Sequence, residues 1–103
     1  MFIRIAATGG ELSDNDVDQI QKDLGKLERR LKGGKEPYLD IHVSGDDGAP
    51  TRKVTLRLEY GPNQLVATAE EADVLLAVRQ ARERLLRQIE REGRGGHADH
   101  AKR

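Results

Sequence analysis

The sequence predicts an α+β domain: a four-stranded sheet carrying two helices on one face, a two-layer sandwich in the order β-α-β-β-β-α. Three observations predict it. Four segments alternate apolar and polar residues, so each strand presents one apolar face. Two segments repeat apolar residues at spacings of three and four, the stripe of an amphipathic helix. The chain has 103 residues, enough for one core. One apolar sheet face and two single-striped helices close most economically as two layers, with the outer sheet face wet.

The first strand is expected over 1–7, with Met1, Ile3 and Ile5 on one side and Phe2, Arg4 and Ala6 on the other. Thr8-Gly9-Gly10 breaks it. The first helix starts at Ser13 or Asp14, whose short oxygen side chains accept from first-turn amides. Its stripe is Val17, Ile20, Leu24, Leu27 and Leu31, and Gly33-Gly34 is the expected stop. Gly25, inside the pattern, suggests close packing.

The second strand is expected from Tyr38 to Ser44, with Leu39, Ile41 and Val43 inward. The third, from Arg52 to Tyr60, alternates most clearly, with Val54, Leu56, Leu58 and Tyr60 on one face. Gly61-Pro62-Asn63 turns the chain into a short strand from Gln64 to Ala69, carrying Leu65, Ala67 and Ala69. Short links make these three strands an antiparallel meander. The second helix runs from a cap at Asp73 to Glu92, with Leu75, Val78, Leu85 and Ile89 as its stripe and Gly93 as its stop. The domain is thus expected over 1–92, followed by a disordered polar tail over 93–103.

Eighteen basic and eighteen acidic residues give zero formal charge, but they are not mixed evenly. The stretch 11–21 has four acidic and no basic residues, 22–35 has six basic against two acidic, and 79–94 has six against three. At about 100° per residue, Lys22, Lys26 and Arg29 fall on one solvent row of the first helix, and Arg84, Arg87 and Arg91 on one row of the second. Such rows suit phosphate oxygens, which take the planar guanidinium fork and release counterions. Cations near a helix C-terminus also complement the dipole, so the pattern alone leaves both readings open. Arg82 falls within the apolar stripe, either as a snorkelling stem or as a polar interior contact.

No catalytic constellation emerges. The chain has no cysteine, which removes disulfides, thiolate nucleophiles and Cys-based zinc sites. His97-Ala98-Asp99-His100 has metal-like spacing without a third ligand, and Asp46-Asp47-Gly48 lacks the ligand count of a calcium loop. No metal, cofactor or small-molecule substrate is expected. No apolar run reaches membrane-helix length and no signal peptide is expected, so a cytoplasmic, membrane-free setting follows.

The order and spacing of several motifs carry a family resemblance. The third strand ends in Gly61-Pro62-Asn63-Gln64, followed by Leu65-Val66-Ala67-Thr68-Ala69-Glu70, an acidic cap at Asp73 and a helix containing Arg84-Leu85-Leu86-Arg87-Gln88-Ile89. Upstream stands Lys26-Leu27-Glu28-Arg29. This arrangement resembles the ribosome hibernation promoting factor family, also called ribosome-associated inhibitor A or sigma-54 modulation protein, in its short form. The resemblance implies a fold like a double-stranded-RNA-binding domain with an extra strand. It also implies a stress-response factor that binds 16S rRNA in the decoding channel of the small ribosomal subunit and inhibits translation. Basic residues on both helices make the family's rRNA contacts, and Lys26, Arg29, Arg84, Arg87 and Arg91 match them. With Lys22 from the first row, these six are the expected rRNA-binding residues. The alternative expectation is a protein-interaction module on the same fold without RNA binding. It would be a weak homodimer formed through the sheet face or edge, with Phe2, Tyr38 and Val66 exposed.

Overall fold

Period-two alternation carries directly into the sheet of the computed structural model, which describes residues 1–9, 12–31, 36–45 and 49–102, the last eleven by backbone alone. The strands are β1 (Phe2–Ala7), β2 (Tyr38–Ser44), β3 (Arg52–Tyr60) and β4 (Asn63–Glu71), in spatial order β1-β2-β3-β4. β1 pairs parallel with β2; β2–β3 and β3–β4 are antiparallel, as the short links require. A parallel pair needs a crossover, and helix α1 (Asp14–Gly25) lies between β1 and β2 in the chain. The fold is the expected α+β arrangement.

Register sets the inner rows. Ile3, Leu39, Leu58 and Leu65 lie side by side, as do Ile5, Ile41, Leu56 and Ala67. The inward residues of β2 and β3 from Leu39 to Leu58 are fully buried. Between β3 and β4 the loop is only Gly61-Pro62, because Asn63 already pairs with Tyr60. Gly61 takes φ 56° and Pro62's ring fixes a negative φ, the sign pattern of a hairpin turn that matches strand twist. β4 consequently runs longer than the expected 64–69.

α1 begins as expected: Ser13 Oγ accepts from the Asp16 amide at 3.0 Å. Its end differs. The α-helix stops at Gly25, a 3-10 helix follows over Lys26–Arg30, and Leu31 is already extended. The helical segment therefore ends before Gly33-Gly34, which lie outside the described residues. A Cβ at Gly25 would meet nothing within 4 Å, so close packing does not explain the glycine. Gly25 marks the change to tighter winding, where residues three apart stack. Leu24 and Leu27 are three apart, and both are fully buried.

Helix α2 spans Val74–Lys102, and the Asp73 carboxylate accepts from the Leu75 amide at 3.3 Å. Val78, Leu85 and Ile89 are buried as expected, but Leu75 is only partly so. Val74, Ala77 and Ala81 complete the face, alanines doing what a leucine count overlooks. The expected stop at Gly93 is corrected, since the helical backbone continues to Lys102. One glycine costs a helix about 1 kcal/mol and ends it only by turning left-handed. We propose that the packed domain still ends by residue 92, because Ile89 is the last described side chain in the core.

The helices are tied by charge as well as by leucines. The Arg82 guanidinium donates to the Asp23 carboxylate and reaches the Asp23 carbonyl at 3.5 Å. The two side chains are 13% and 19% exposed, so the pair is largely withdrawn from water. Arg82 is thus a polar contact between the helices. A second bridge, Arg30 to Glu90 at 3.0 Å, lies in solvent.

Asp23→Asn is expected to cost about 1–3 kcal/mol in a urea melt, against about 0–0.5 kcal/mol for the exposed Glu90→Gln. Equal losses would refute the ranking. A chain ended at Glu92 is expected to melt within a few degrees of the full chain.

Candidate functional site

The site forms where α2 crosses the outer border of the sheet. α2 lies over β4 and β3, nearest β4. Both elements bury small side chains, Ala67 and Ala69 on β4 and Ala77 and Ala81 on α2. From α2, two side chains reach the unpaired margin of β4. Arg84 donates from Nη1 to the Thr68 carbonyl, and Gln88 from Nε2 to the Val66 carbonyl at 2.7 Å. The spacings agree: residues four apart on a helix rise about 6 Å, and residues two apart on a strand about 6.8 Å.

Beside this clamp is an open groove of about 370 Å³ lined by Leu65, Arg84, Arg87, Gln88 and Arg91. Arg87 and Arg91 are exposed, one helical turn apart, and make no ion pair among the described residues. All three expected α2 residues therefore meet in one place. Arg84 differs from the other two, since its guanidinium already holds a backbone carbonyl. Gln88 was not expected; its position one turn after Arg84, on the same face, was the available signal.

The α1 row does not join the groove. Lys22 pairs with Asp18 at 3.2 Å, and Lys26 with Asp23 at 3.9 Å. Arg29 is exposed and has no ion pair among the described residues. Lys26 and Arg29 stay on one face because 3-10 winding stacks residues three apart.

The outer sheet face is polar in the middle and aromatic at one end. His42 is exposed there, with its Nε2 2.6 Å from Thr8 Oγ1. Phe2 is 58% and Val66 44% exposed, while Tyr38 is half-buried under Phe2. Among the described residues, no three His, Asp or Glu side chains form a metal-binding group, and no polar residue is buried. The Asp46-Asp47-Gly48 loop and the side chains of His97 and His100 lie outside the described residues. No described helix is long and apolar enough to cross a membrane.

An open arginine groove on a small α+β sandwich presents paired cationic donors of the kind that suit phosphate oxygens. The chain belongs to the family described as Sigma 54 modulation protein / S30EA ribosomal protein, which matches residues 3–94. The Protein Y N-terminal domain of Thermus thermophilus is similar in structure, with a TM-score of 0.76 and 23% identity, covering 88% of this chain and 98% of that one. A ribosomal subunit interface protein from Coxiella burnetii is similar at a TM-score of 0.75 and 16% identity, covering 90% and 98%. Both are likenesses of fold. Among curated proteins none matches.

If Arg84 and Gln88 close the sheet margin, Arg84→Met and Gln88→Met should each cost about 1 kcal/mol in urea unfolding. Arg87→Ala should stay within about 0.5 kcal/mol. A cost at Arg87 equal to that at Arg84 would contradict the division.

Proposed function

We propose that this chain is a ribosome-associated hibernation factor, a binding protein rather than an enzyme. It inhibits translation by seating its basic faces on 16S rRNA of the small subunit in the cytoplasm. The observation that carries the reading is the groove, where Arg87 and Arg91 stand beside Arg84 with no ion pair among the described residues. Family membership supplies the ribosomal context.

The mechanism is phosphate neutralisation on a rigid frame. Guanidinium forks offer paired donors to phosphate oxygens, and each neutralised phosphate releases counterions. A helix face set against folded RNA reads backbone shape, with little base discrimination. Arg87, Arg91 and Arg29 contribute most, because no described carboxylate shares their charges. Lys22 and Lys26 contribute less, each having to leave an aspartate. Arg84 orders the groove and adds positive potential.

The test is pelleting with purified 30S subunits and 70S ribosomes across a salt series. Binding should require the small subunit and weaken steeply, with a log–log slope of roughly −0.7 to −0.9 per phosphate contact. Arg87→Glu with Arg91→Glu should abolish it while the protein stays folded, and Lys22→Glu should leave most of it. Wild-type pelleting by the double variant would overturn the assignment of the groove. No wild-type binding at low salt would overturn the function.

A further inference from the structure

The two margins of the sheet are finished differently. At β4 the outward carbonyls of Val66 and Thr68 are taken by Gln88 and Arg84. At β1 the Phe2 amide donates to the Pro37 carbonyl at 2.9 Å, and the Thr8 amide to the Val43 carbonyl at 2.8 Å. Even-numbered residues thus face β2. A parallel ladder alternates, so Ile3, Ile5 and Ala7 turn N–H and C=O outward, where nothing among the described residues pairs with them.

The side chains of β1 are also left half covered. Ile3 and Ile5 are only partly buried, whereas Leu39 and Ile41 beside them on β2 are fully buried. On the outer face the Phe2 ring stacks on Tyr38, with centroids 5.3 Å apart and planes within 8°. Strands lie about 4.8 Å apart, so the rings stand upright, side by side across the two strands. Tyr38 covers one face of Phe2, and the other face looks out across the open margin. Arg4 is the next residue on that side.

We propose that a second copy of this chain pairs antiparallel with β1, about a twofold axis at Ile3. An axis at Arg4 would set two guanidinium groups opposite each other. An axis at Ile3 instead sets Arg4 of each copy opposite Phe2 of the other. That is a non-hydrogen-bonded pair, where facing side chains come closest, and the cation lands on the open ring face. The margin is self-complementary because it carries both halves of this contact two residues apart, which is what an isologous interface needs. Ile3 meets Ile3 on the inner face. The paired sheet has eight strands, with the two arginine grooves at its far ends. The interface is small, so the dimer is weak and concentration-dependent.

Sedimentation equilibrium of the full chain from about 10 µM to about 1 mM tests this. The average mass should rise from the 11.5 kDa monomer toward twice that value. Arg4→Ala changes an exposed residue, and it should weaken association about 5- to 30-fold through loss of two cation–π contacts, with the circular dichroism unchanged. The chain has no cysteine, so Ile3→Cys adds a single thiol. Facing Cα atoms about 5.5 Å apart fit a disulfide, and mild oxidation should give a covalent dimer where Ala7→Cys gives little. A monomer at every concentration would overturn the proposal. So would a dimer indifferent to Arg4→Ala, or one that Ala7→Cys traps as readily.

Discussion

The close seat of α2 on β4 is the contact from which the rest of the molecule follows. Four of the residues it buries are alanines, Ala67 and Ala69 on β4 and Ala77 and Ala81 on α2. Bulk at these positions would have to be accommodated by lifting the helix, since interiors this dense leave little slack. The helix would then carry Arg84 and Gln88 away from the carbonyls they hold. The groove, the closed margin and the burial of Leu85 and Ile89 thus all depend on how closely α2 lies on β4.

Zero net charge conceals a division of labour among the cations. Arg82 and Arg30 join the helices, and Arg84 closes the sheet. Lys22 and Lys26 share their charges with neighbouring aspartates. Of the six cations expected to meet phosphate, Arg29, Arg87 and Arg91 are left without a partner among the described residues, and two of them line the groove. A local field of this kind is what a polyanion meets at contact distance, because charges beyond about 8–10 Å are screened at physiological salt.

The sequence was legible where a period is strict. β2 and β3 begin and end where alternation does, because one face is buried and a slip of one residue would turn every side chain over. Less was legible where small residues carry the packing. Ala77 and Ala81 have too little apolar surface to register in a stripe, so the buried face of α2 was read through Leu75 instead. The 3-10 segment after Gly25 was missed for a related reason: Leu24 and Leu27 suit three residues per turn as well as 3.6. Helical spacing put Arg84, Arg87 and Arg91 on one row, and the structure brings them to one groove. Spacing could not show that Arg84 has a partner, since the Thr68 carbonyl is presented by tertiary packing alone. Arg82 was ambiguous because its partner, Asp23, is fifty-nine positions away on another helix.

Arg84 stands between two claims on one guanidinium. A phosphate oxygen is charged and a stronger acceptor than a peptide carbonyl, so RNA at the proposed interface would compete for it. Release of Thr68 is not severe at a solvent-facing margin, where water can take the carbonyl. Yet Gln88 and Arg84 act as a pair on adjacent outward carbonyls, and losing one loosens the grip that keeps the margin from accepting another strand. In the proposed complex, the lower-cost arrangement would leave Arg84 on Thr68 and let phosphates settle on Arg87 and Arg91. In that state the sheet stays closed at β4 while the groove is filled, and β1 remains the margin open to a further strand.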